Sequence, residues 1–199
     1  MEHVTPAEPG SYGTRVLSED VRKVGMWIFL SSEVIFFSSL ILAALHYRNA
    51  VAGGEPRTEA LDITLTAVST FVLLMSSLTM VSALKAADEG NASRLRLWLG
   101  LTLLGGTIFL GGQAYEFNKL FHEGNTLQAS MSWASFFILT GFHGAHVFVG
   151  ALLVGSQLIR ALRTDQAHKL HFPVELVGLY WHFVDLVWIV IFTVIYLID

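Results

Sequence analysis

Cysteine is absent from the 199 residues of this sequence, and charged residues are scarce. Without thiols, the chain has no disulfide, thiolate zinc site, iron–sulfur cluster or covalently attached haem. Only 14% of the residues are charged, against about 25% in soluble domains, while 53% are hydrophobic. The net charge of −4 is small, and no basic run points to a nucleic-acid partner. The composition indicates a membrane protein, in which any metal would have to use His, Asp, Glu or Met ligands.

Five apolar segments are each long enough to cross a bilayer, which takes about 20 helical residues. They predict transmembrane helices over about 24–47, 63–84, 97–116, 131–159 and 174–198. We therefore expect an all-α membrane protein with one domain over residues 24–199, a five-transmembrane-helix bundle. Residues 1–23 are polar and lack the short apolar core and cleavage site of a secretory signal, so we interpret them as an N-terminal arm.

Basic residues are distributed unevenly between the two sides of the predicted bundle. Nine lie in the arm and in the second and fourth connections, and three lie in the other two. Because cytoplasmic loops carry the excess of Lys and Arg, we expect a cytoplasmic N-terminus and a C-terminus on the periplasmic or outer side. The nine are Arg15, Arg22, Lys23, Lys85, Arg94, Arg96, Arg160, Arg163 and Lys169, and the three are Arg48, Arg57 and Lys119.

Five ionisable side chains fall inside the predicted spans, where such groups are costly and require an explanation. They are Glu33, His143, His146, His182 and Asp185. At about 1.5 Å per helical residue, all five come near one level of the bilayer and form an intramembrane polar layer. His143 and His146 share a helix face. His182 and Asp185 have the same spacing, so we expect them to pair directly, with Asp185 orienting the imidazole.

Three interpretations of the polar layer are open from spacing alone. Three imidazoles and two carboxylates would suffice for zinc or non-haem iron, although membrane metalloenzymes generally have denser histidine sets. A lone Glu at mid-membrane is typical of a proton or ion path. In the third interpretation, slightly favoured, the groups pair with one another, with lipid headgroups or with a neighbouring subunit and so fix helix packing.

Two further patterns concern the packing of the helices. The second span is rich in Ser and Thr, whose hydroxyls we expect to bond back to their own helix. The third span contains five glycines, which we interpret as positions of close helix approach. These are Gly100, Gly105, Gly106, Gly111 and Gly112.

Four motifs, in this order along the chain, resemble those of one membrane-protein family. They are GM at 25–26 followed by SEV at 32–34 and FF at 36–37, QAYE at 113–116, TGFHGAHV at 140–147, and YWHFVDLVW at 180–188. The chain thereby resembles subunit III of the haem–copper cytochrome c oxidases over all five spans. With only a 23-residue arm before the SEV helix, it is similar to the short five-helix bacterial form of the aa3-type enzymes.

The resemblance implies an accessory subunit without a cofactor of its own, multi-pass in the bacterial cytoplasmic (inner) membrane. Haem and copper would lie in the partner subunits that transfer electrons from cytochrome c to oxygen and pump protons. The expected partners are subunit I by direct packing, subunit II and a small subunit IV in the same complex, and bound phospholipid. The expected role is to stabilise subunit I and to support proton uptake and the working lifetime of the complex.

Two alternatives remain beside this interpretation. The chain could be the equivalent subunit of a quinol or nitric-oxide reductase complex, although Glu33 and the 180–185 run favour the cytochrome c type. In a different class, it could be an autonomous membrane metalloenzyme built on the His and carboxylate layer. A subunit of an oxidase or reductase complex is expected to carry no stoichiometric metal on this chain, whereas an autonomous metalloenzyme is expected to carry about one metal ion per chain.

The resemblance also gives expectations for individual residues. Glu33 matches a family carboxylate in the lipid-facing interior, and Glu116 matches the carboxylate of the QAYE element on the outer face. Lys23, Arg160 and His171 are candidates for lipid headgroups, because they lie at headgroup level and a guanidinium can bond two phosphate oxygens. Ordinary cytoplasmic charge is the alternative for Lys23 and Arg160. No residue is expected to be catalytic or to bind a metal.

Overall fold

Five long helices follow the order of the predicted spans in the computed structural model, which describes residues 10–50 and 61–197. They are α1 (Gly10–Ala50), α2 (Ile63–Asp88), α3 (Ala92–His122), α4 (Met131–Arg163) and α5 (His171–Phe192). A 3-10 turn at Ala167–Leu170 precedes α5, and a π-helical turn at Thr193–Leu197 follows it. Each of the five helices is long and apolar enough to cross a membrane, and the described ranges contain no strand, so the predicted fold class is confirmed.

The first helix is longer than its apolar segment. It begins at Gly10, so residues 10–23 of the predicted arm continue the first membrane helix. Residues 1–9 of the arm, residues 51–60 of the predicted first connection and residue 198 of the fifth span lie outside the described residues. Side chains are described over 19–47 and 61–197.

The second predicted connection, Lys85–Arg96, is wrong in its extent, since only residues 89–91 separate α2 from α3. The Asn91 side chain accepts a hydrogen bond of 3.0 Å from the backbone N–H of Arg94 and so caps α3. Gly90 reverses the chain at φ 72°, and the ring of His168 fills the space where a side chain would stand. The charged residues that were predicted to lie in this connection therefore belong to the ends of α2 and α3, which extend past their apolar segments.

The end of α4 is capped by a side chain from α3. Arg96 donates from Nε to the carbonyl of Ala161 at 2.8 Å and from Nη2 to the carbonyl of Thr164 at 3.2 Å. Its Nη2 also contacts Asp165 at 2.5 Å. The last carbonyls of a helix have no partner within the helix, so this guanidinium supplies donors where α4 ends.

Helices α2, α3, α4 and α5 form a closed set of neighbours, and α1 lies outside it against α4 and α5. Only 17% of the most apolar stretch of α1 is buried, against 50% in α4 and in α5. The contacts of α1 include the Lys23–Glu175 ion pair at 2.8 Å and an edge-to-face pair between Phe36 and Phe142. Most of the α1 surface is therefore left for lipid or for another subunit.

The indole of Trp181 fills the centre of the four-helix set. It lies against Gly106 of α3 and Gly150 of α4, where a Cβ would approach its ring carbons to 2.5 and 2.9 Å. Because neither glycine has a side chain, both helices approach the ring closely. The Trp181 Nε1–H donates to Ser76 Oγ of α2 at 3.1 Å, so one side chain links four helices.

Most of the described hydroxyls of α2 bond back to their own helix, as predicted, and Ser77 is an exception because it donates to Asp185 of α5. Those that donate to a carbonyl one turn earlier include Ser69, Thr70, Ser76, Thr79 and Ser82. Two of these oxygens also accept from another helix, which was not predicted: Ser76 accepts from Trp181, and Thr70 accepts from Trp188 Nε1 at 2.8 Å. A hydroxyl has one proton and two lone pairs, so both roles are compatible.

Three of the five glycines of α3 lie where a neighbouring helix approaches closely. Gly105 faces Ser76, Gly106 faces Trp181 and Gly112 lies near Ser69, which confirms the packing interpretation for these positions. Nothing in the described structure lies within 4 Å of a Cβ at Gly100 or Gly111, so the interpretation is wrong for these two within the chain.

Replacing Gly106 by Ala should destabilise the bundle by about 1–3 kcal/mol, because the added methyl collides with the rigid indole of Trp181. The matched control is Gly111→Ala on the same helix, where the methyl enters open space and stability should stay equal or rise slightly. Thermal unfolding of the detergent-solubilised protein measures both. Equal melting temperatures for the two variants would contradict this packing account.

Candidate functional site

Glu33 of α1 and His146 of α4 form a contact of 3.1 Å between Oε2 and Nε2. The other ring nitrogen of His146, Nδ1, lies 2.7 Å from the carbonyl oxygen of Phe142. A carbonyl only accepts, so Nδ1 carries a proton, and the contact with Glu33 then requires a second proton between Nε2 and Oε2. Both side chains are more than four-fifths buried. The geometry therefore fits one proton held between the carboxyl of Glu33 and the imidazole of His146.

His143 lies one helical turn before His146 but faces an aromatic environment. Its ring stacks on Trp188 with centroids 4.8 Å apart and meets Phe109 and Phe37 edge to face. The side chain is fully buried, and neither ring nitrogen has a hydrogen-bond partner in the described structure. This histidine packs the junction of α1, α3, α4 and α5 and does not join the Glu33–His146 pair.

His182 and Asp185 do not pair directly, which corrects the expectation from their spacing. Ser77 of α2 lies between them: its hydroxyl donates to Asp185 Oδ2 at 2.7 Å, and its oxygen lies 3.3 Å from His182 Nδ1. Asp185 Oδ1 is buried without a hydrogen-bond partner in the described structure. The carboxylate acts on the imidazole through the serine, and the serine joins α2 to α5.

Glu116 is buried near the C-terminal end of α3 and is bound by two hydroxyls. Thr66 Oγ1 of α2 lies 3.1 Å from Oε1 and 2.9 Å from the carbonyl oxygen of Asp62, so its one proton is shared between these two acceptors. Tyr196 donates to Oε2 at 2.9 Å from the π-helical turn after α5. A cavity of about 10 Å³, with room for about one water, lies beside the carboxylate and is lined also by Ser69 and Gln113. This cluster joins the C-terminal end of α3 to the N-terminal end of α2 and to the turn that follows α5.

Each of the three candidates for lipid headgroups has a partner within the chain. Lys23 pairs with Glu175 as described above, and its Nζ also lies 5.9 Å from the ring centroid of Phe172. Arg160 Nη1 donates to Gln157 at 3.1 Å. His171 Nε2 is 3.9 Å from Asp88 Oδ1. These contacts orient the side chains, and the assignment to lipid stays a prediction.

The polar layer is divided into separate environments. They are the Glu33–His146 pair, the aromatic box around His143, and the Ser77–His182–Asp185 cluster. Among the side chains described, no three of the His, Asp and Glu residues converge as metal ligands. Ser77 and Tyr196 were not among the predicted site residues, and the density of hydroxyls on α2 was the available signal for Ser77.

Replacing Glu116 by Leu should cost about 1–3 kcal/mol, because the buried Tyr196 hydroxyl loses its acceptor. Glu116→Gln keeps a carbonyl oxygen for Tyr196 and should lose less. Glu123→Gln, at the exposed end of the same helix, is the control and should change stability by under about 0.5 kcal/mol. Unfolding of the three variants in detergent measures their stabilities, which should fall in the order Glu123→Gln, Glu116→Gln, Glu116→Leu. A Glu116→Leu variant as stable as Glu123→Gln would refute this role of the carboxyl group.

The model of the family Cytochrome c oxidase subunit III matches residues 10–199. Cytochrome c oxidase subunit 3 of Bacillus subtilis is 41% identical over 179 residues, which is 87% of this chain and 84% of that protein. Quinol oxidase subunit 3 of the same organism is 37% identical over 174 residues, 87% of this chain and 85% of that protein.

A third relative agrees with these two. Cytochrome c oxidase subunit 3 of Corynebacterium diphtheriae is 40% identical over 179 residues, 88% of this chain and 87% of that protein. The resemblance drawn from the four motifs is thereby confirmed, and the five apolar helices make the chain a multi-pass membrane protein. The chain belongs to the cytochrome c oxidase subunit III family and is an accessory, non-catalytic subunit of a haem–copper oxidase complex.

Proposed function

We propose that this chain is subunit III of an aa3-type cytochrome c oxidase in a bacterial cytoplasmic membrane. Subunits I and II hold the haem and copper, and this chain packs on subunit I, holds phospholipid and supports proton uptake. The observation that carries the proposal is the Glu33–His146 pair, a carboxyl–imidazole contact between two membrane helices, in a bundle where the buried carboxyl groups of Asp185 and Glu116 each hydrogen-bond to a neighbouring helix.

The position of the pair suits a supporting role in proton uptake. Glu33 lies on α1, the helix outside the four-helix set, and its side chain is 17% exposed. A proton shared between a carboxyl and an imidazole can shift between the two without leaving the site. One pair does not make a continuous path, so the pumped protons travel in the partner subunits and this pair acts locally.

Lipid binding is supported by the charged residues at the predicted cytoplasmic ends of the helices. Arg160 is exposed, and its contact with Gln157 leaves guanidinium donors facing outward, where a phosphate can take two hydrogen bonds. Lys23 is 38% exposed beside Glu175, and its ammonium group has three donors. Both side chains are therefore oriented by the protein and still accessible to a headgroup.

The electron donor is proposed from the similarity to cytochrome c oxidases. Two cytochrome c oxidase relatives are 41% and 40% identical to the chain. A quinol oxidase relative at 37% makes a quinol-oxidising complex the second candidate. The donor binds to other subunits, so the distinction has to be measured on the whole complex.

The test is to tag this chain, extract it in mild detergent, and record subunit composition, visible spectrum and metal content together. We expect co-purification with larger subunits that carry haem and copper, oxidation of reduced cytochrome c in preference to quinol, and no metal on this chain after separation. Oxidation of quinol alone would select the second candidate. Recovery of the chain alone with about one bound metal per molecule would overturn the proposal.

Removal of this chain should leave the initial turnover of the oxidase largely intact but shorten its working lifetime.

In the complete complex, Glu33→Gln should leave haem content and assembly near normal, since the amide keeps a hydrogen bond to His146. Glu33→Leu, which removes this hydrogen bond, is the comparison variant. Oxygen consumption followed to inactivation measures each effect, and an immediate loss of all activity on removal would contradict an accessory role.

A further inference from the structure

One stripe of α5 is left partly uncovered between α1 and α2. Its residues recur at helical spacing: Leu179 and His182 are half-buried, and Leu186 and Ile189 are exposed. On one side of this stripe, Phe37 of α1 contacts Phe183 of α5. On the other side, Ser77 of α2 hydrogen-bonds to Asp185 of α5. Leu186 is 59% exposed, and Val81 of α2, one turn from Ser77, is 54% exposed. We refer to Leu179, His182, Leu186 and Ile189 as the α5 groove.

His182 presents a hydrogen-bond acceptor to this groove. The Ser77 hydroxyl has one proton, which it donates to Asp185 Oδ2, so Ser77 Oγ accepts from His182 and Nδ1 carries the ring proton. The neutral imidazole then has an unshared electron pair at Nε2. No group in the described part of the chain donates to Nε2. Asp185 is 94% buried and, through Ser77, holds the ring in this tautomer.

A hydrocarbon chain in the groove would leave this acceptor without a partner. In the bilayer core no water replaces the missing donor, and polar groups there are paired across helices. The groove is apolar above and below His182, as a helix-binding surface requires, with Leu179 and Leu186 one turn away on either side. The surface therefore fits an apolar helix that carries one donor side chain, such as Ser, Thr, Asn, Gln, Tyr or Trp.

We propose that the α5 groove receives a transmembrane helix of another subunit of the oxidase complex, and that a donor side chain of that helix bonds to His182 Nε2. The inference rests on the membership of this chain in such a complex. It adds which helix face is covered and which atom is recognised. Lipid or a second copy of this chain in the groove are the competing occupants.

Because this chain has no cysteine of its own, its only thiol can be placed at one chosen position for a test on the intact complex. Leu186→Cys introduces a single thiol into the groove, and a photoreactive maleimide attached to it reports its neighbour by mass spectrometry. The expected product is a cross-link to a transmembrane segment of another oxidase subunit. Only phospholipid adducts, or only cross-links to a second copy of this chain, would overturn the proposal.

The matched control for the cross-link is Leu104→Cys. Leu104 is 54% exposed on α3, which packs on α2 and α4 on the far side of the bundle from the groove. The same reagent at this position should not reach the segment found from Leu186→Cys. An identical cross-link from both positions would mean unspecific labelling and count against the groove.

Two substitutions of His182 separate its outward nitrogen from its inward one. The amide of His182→Gln reaches the position of Nε2 and can still accept from the partner, whereas the shorter His182→Asn reaches only the Nδ1 position beside Ser77. We expect the Gln variant to hold the haem-bearing subunits like the unmodified chain through a detergent titration. The Asn variant should hold them about 3- to 10-fold more weakly, the range of one interhelical hydrogen bond.

Equal retention by the two His182 variants and the unmodified chain would overturn the role of Nε2. Should both variants misfold, the cross-link from Leu186→Cys still decides, because it leaves His182 in place. The outcome is also separable from the proposed function. If the tagged, unmodified chain carries no haem subunits, the proposed function fails, whereas haem subunits without a cross-link from the groove refute the groove alone.

Discussion

The need to satisfy polar groups without water governs the interior of this bundle. In hydrocarbon, a hydroxyl, indole N–H or carboxylate that lacks a partner is costly, and each helix already uses its backbone groups internally. Side chains therefore have to find one another across helices. Helix α2 supplies most of the solution, because its hydroxyls bond their own backbone with the proton and accept from an indole with a lone pair.

The same rule sets where the helices touch. Trp181, Trp188 and Tyr196 all reach from the last helix and its extension toward α2 or α3, and each ends at a polar atom there. Their large apolar rings fill the space between helices while the single polar atom fixes the orientation. Glycines on α3 and α4 provide the space that the indole of Trp181 occupies.

The number, order and type of the helices could be predicted from the sequence because a span needs a length of apolar residues that few other structures need. Helix ends could not, since hydropathy records where the hydrocarbon stops and backbone hydrogen bonding continues past it, as at Lys85. The division of the polar layer into three separate environments could not be predicted either. Whether His143 meets an aromatic ring or a carboxylate depends on how far each helix rotates about its axis, and spacing within one helix does not contain that rotation.

The π-helical turn at Thr193–Leu197 has a consequence for the phase of the last helix. Trp188 and Tyr196 are eight residues apart, and in an uninterrupted α-helix eight residues make about 2.2 turns, so the two rings would point about 80° apart. A turn closed by i→i+5 hydrogen bonds takes more residues per turn and so delays the rotation. Tyr196 therefore lies on the same side of the helix as Trp188, contacts its ring and reaches Glu116. The wider turn has the effect of one inserted residue, and both rings still face the same neighbouring helices.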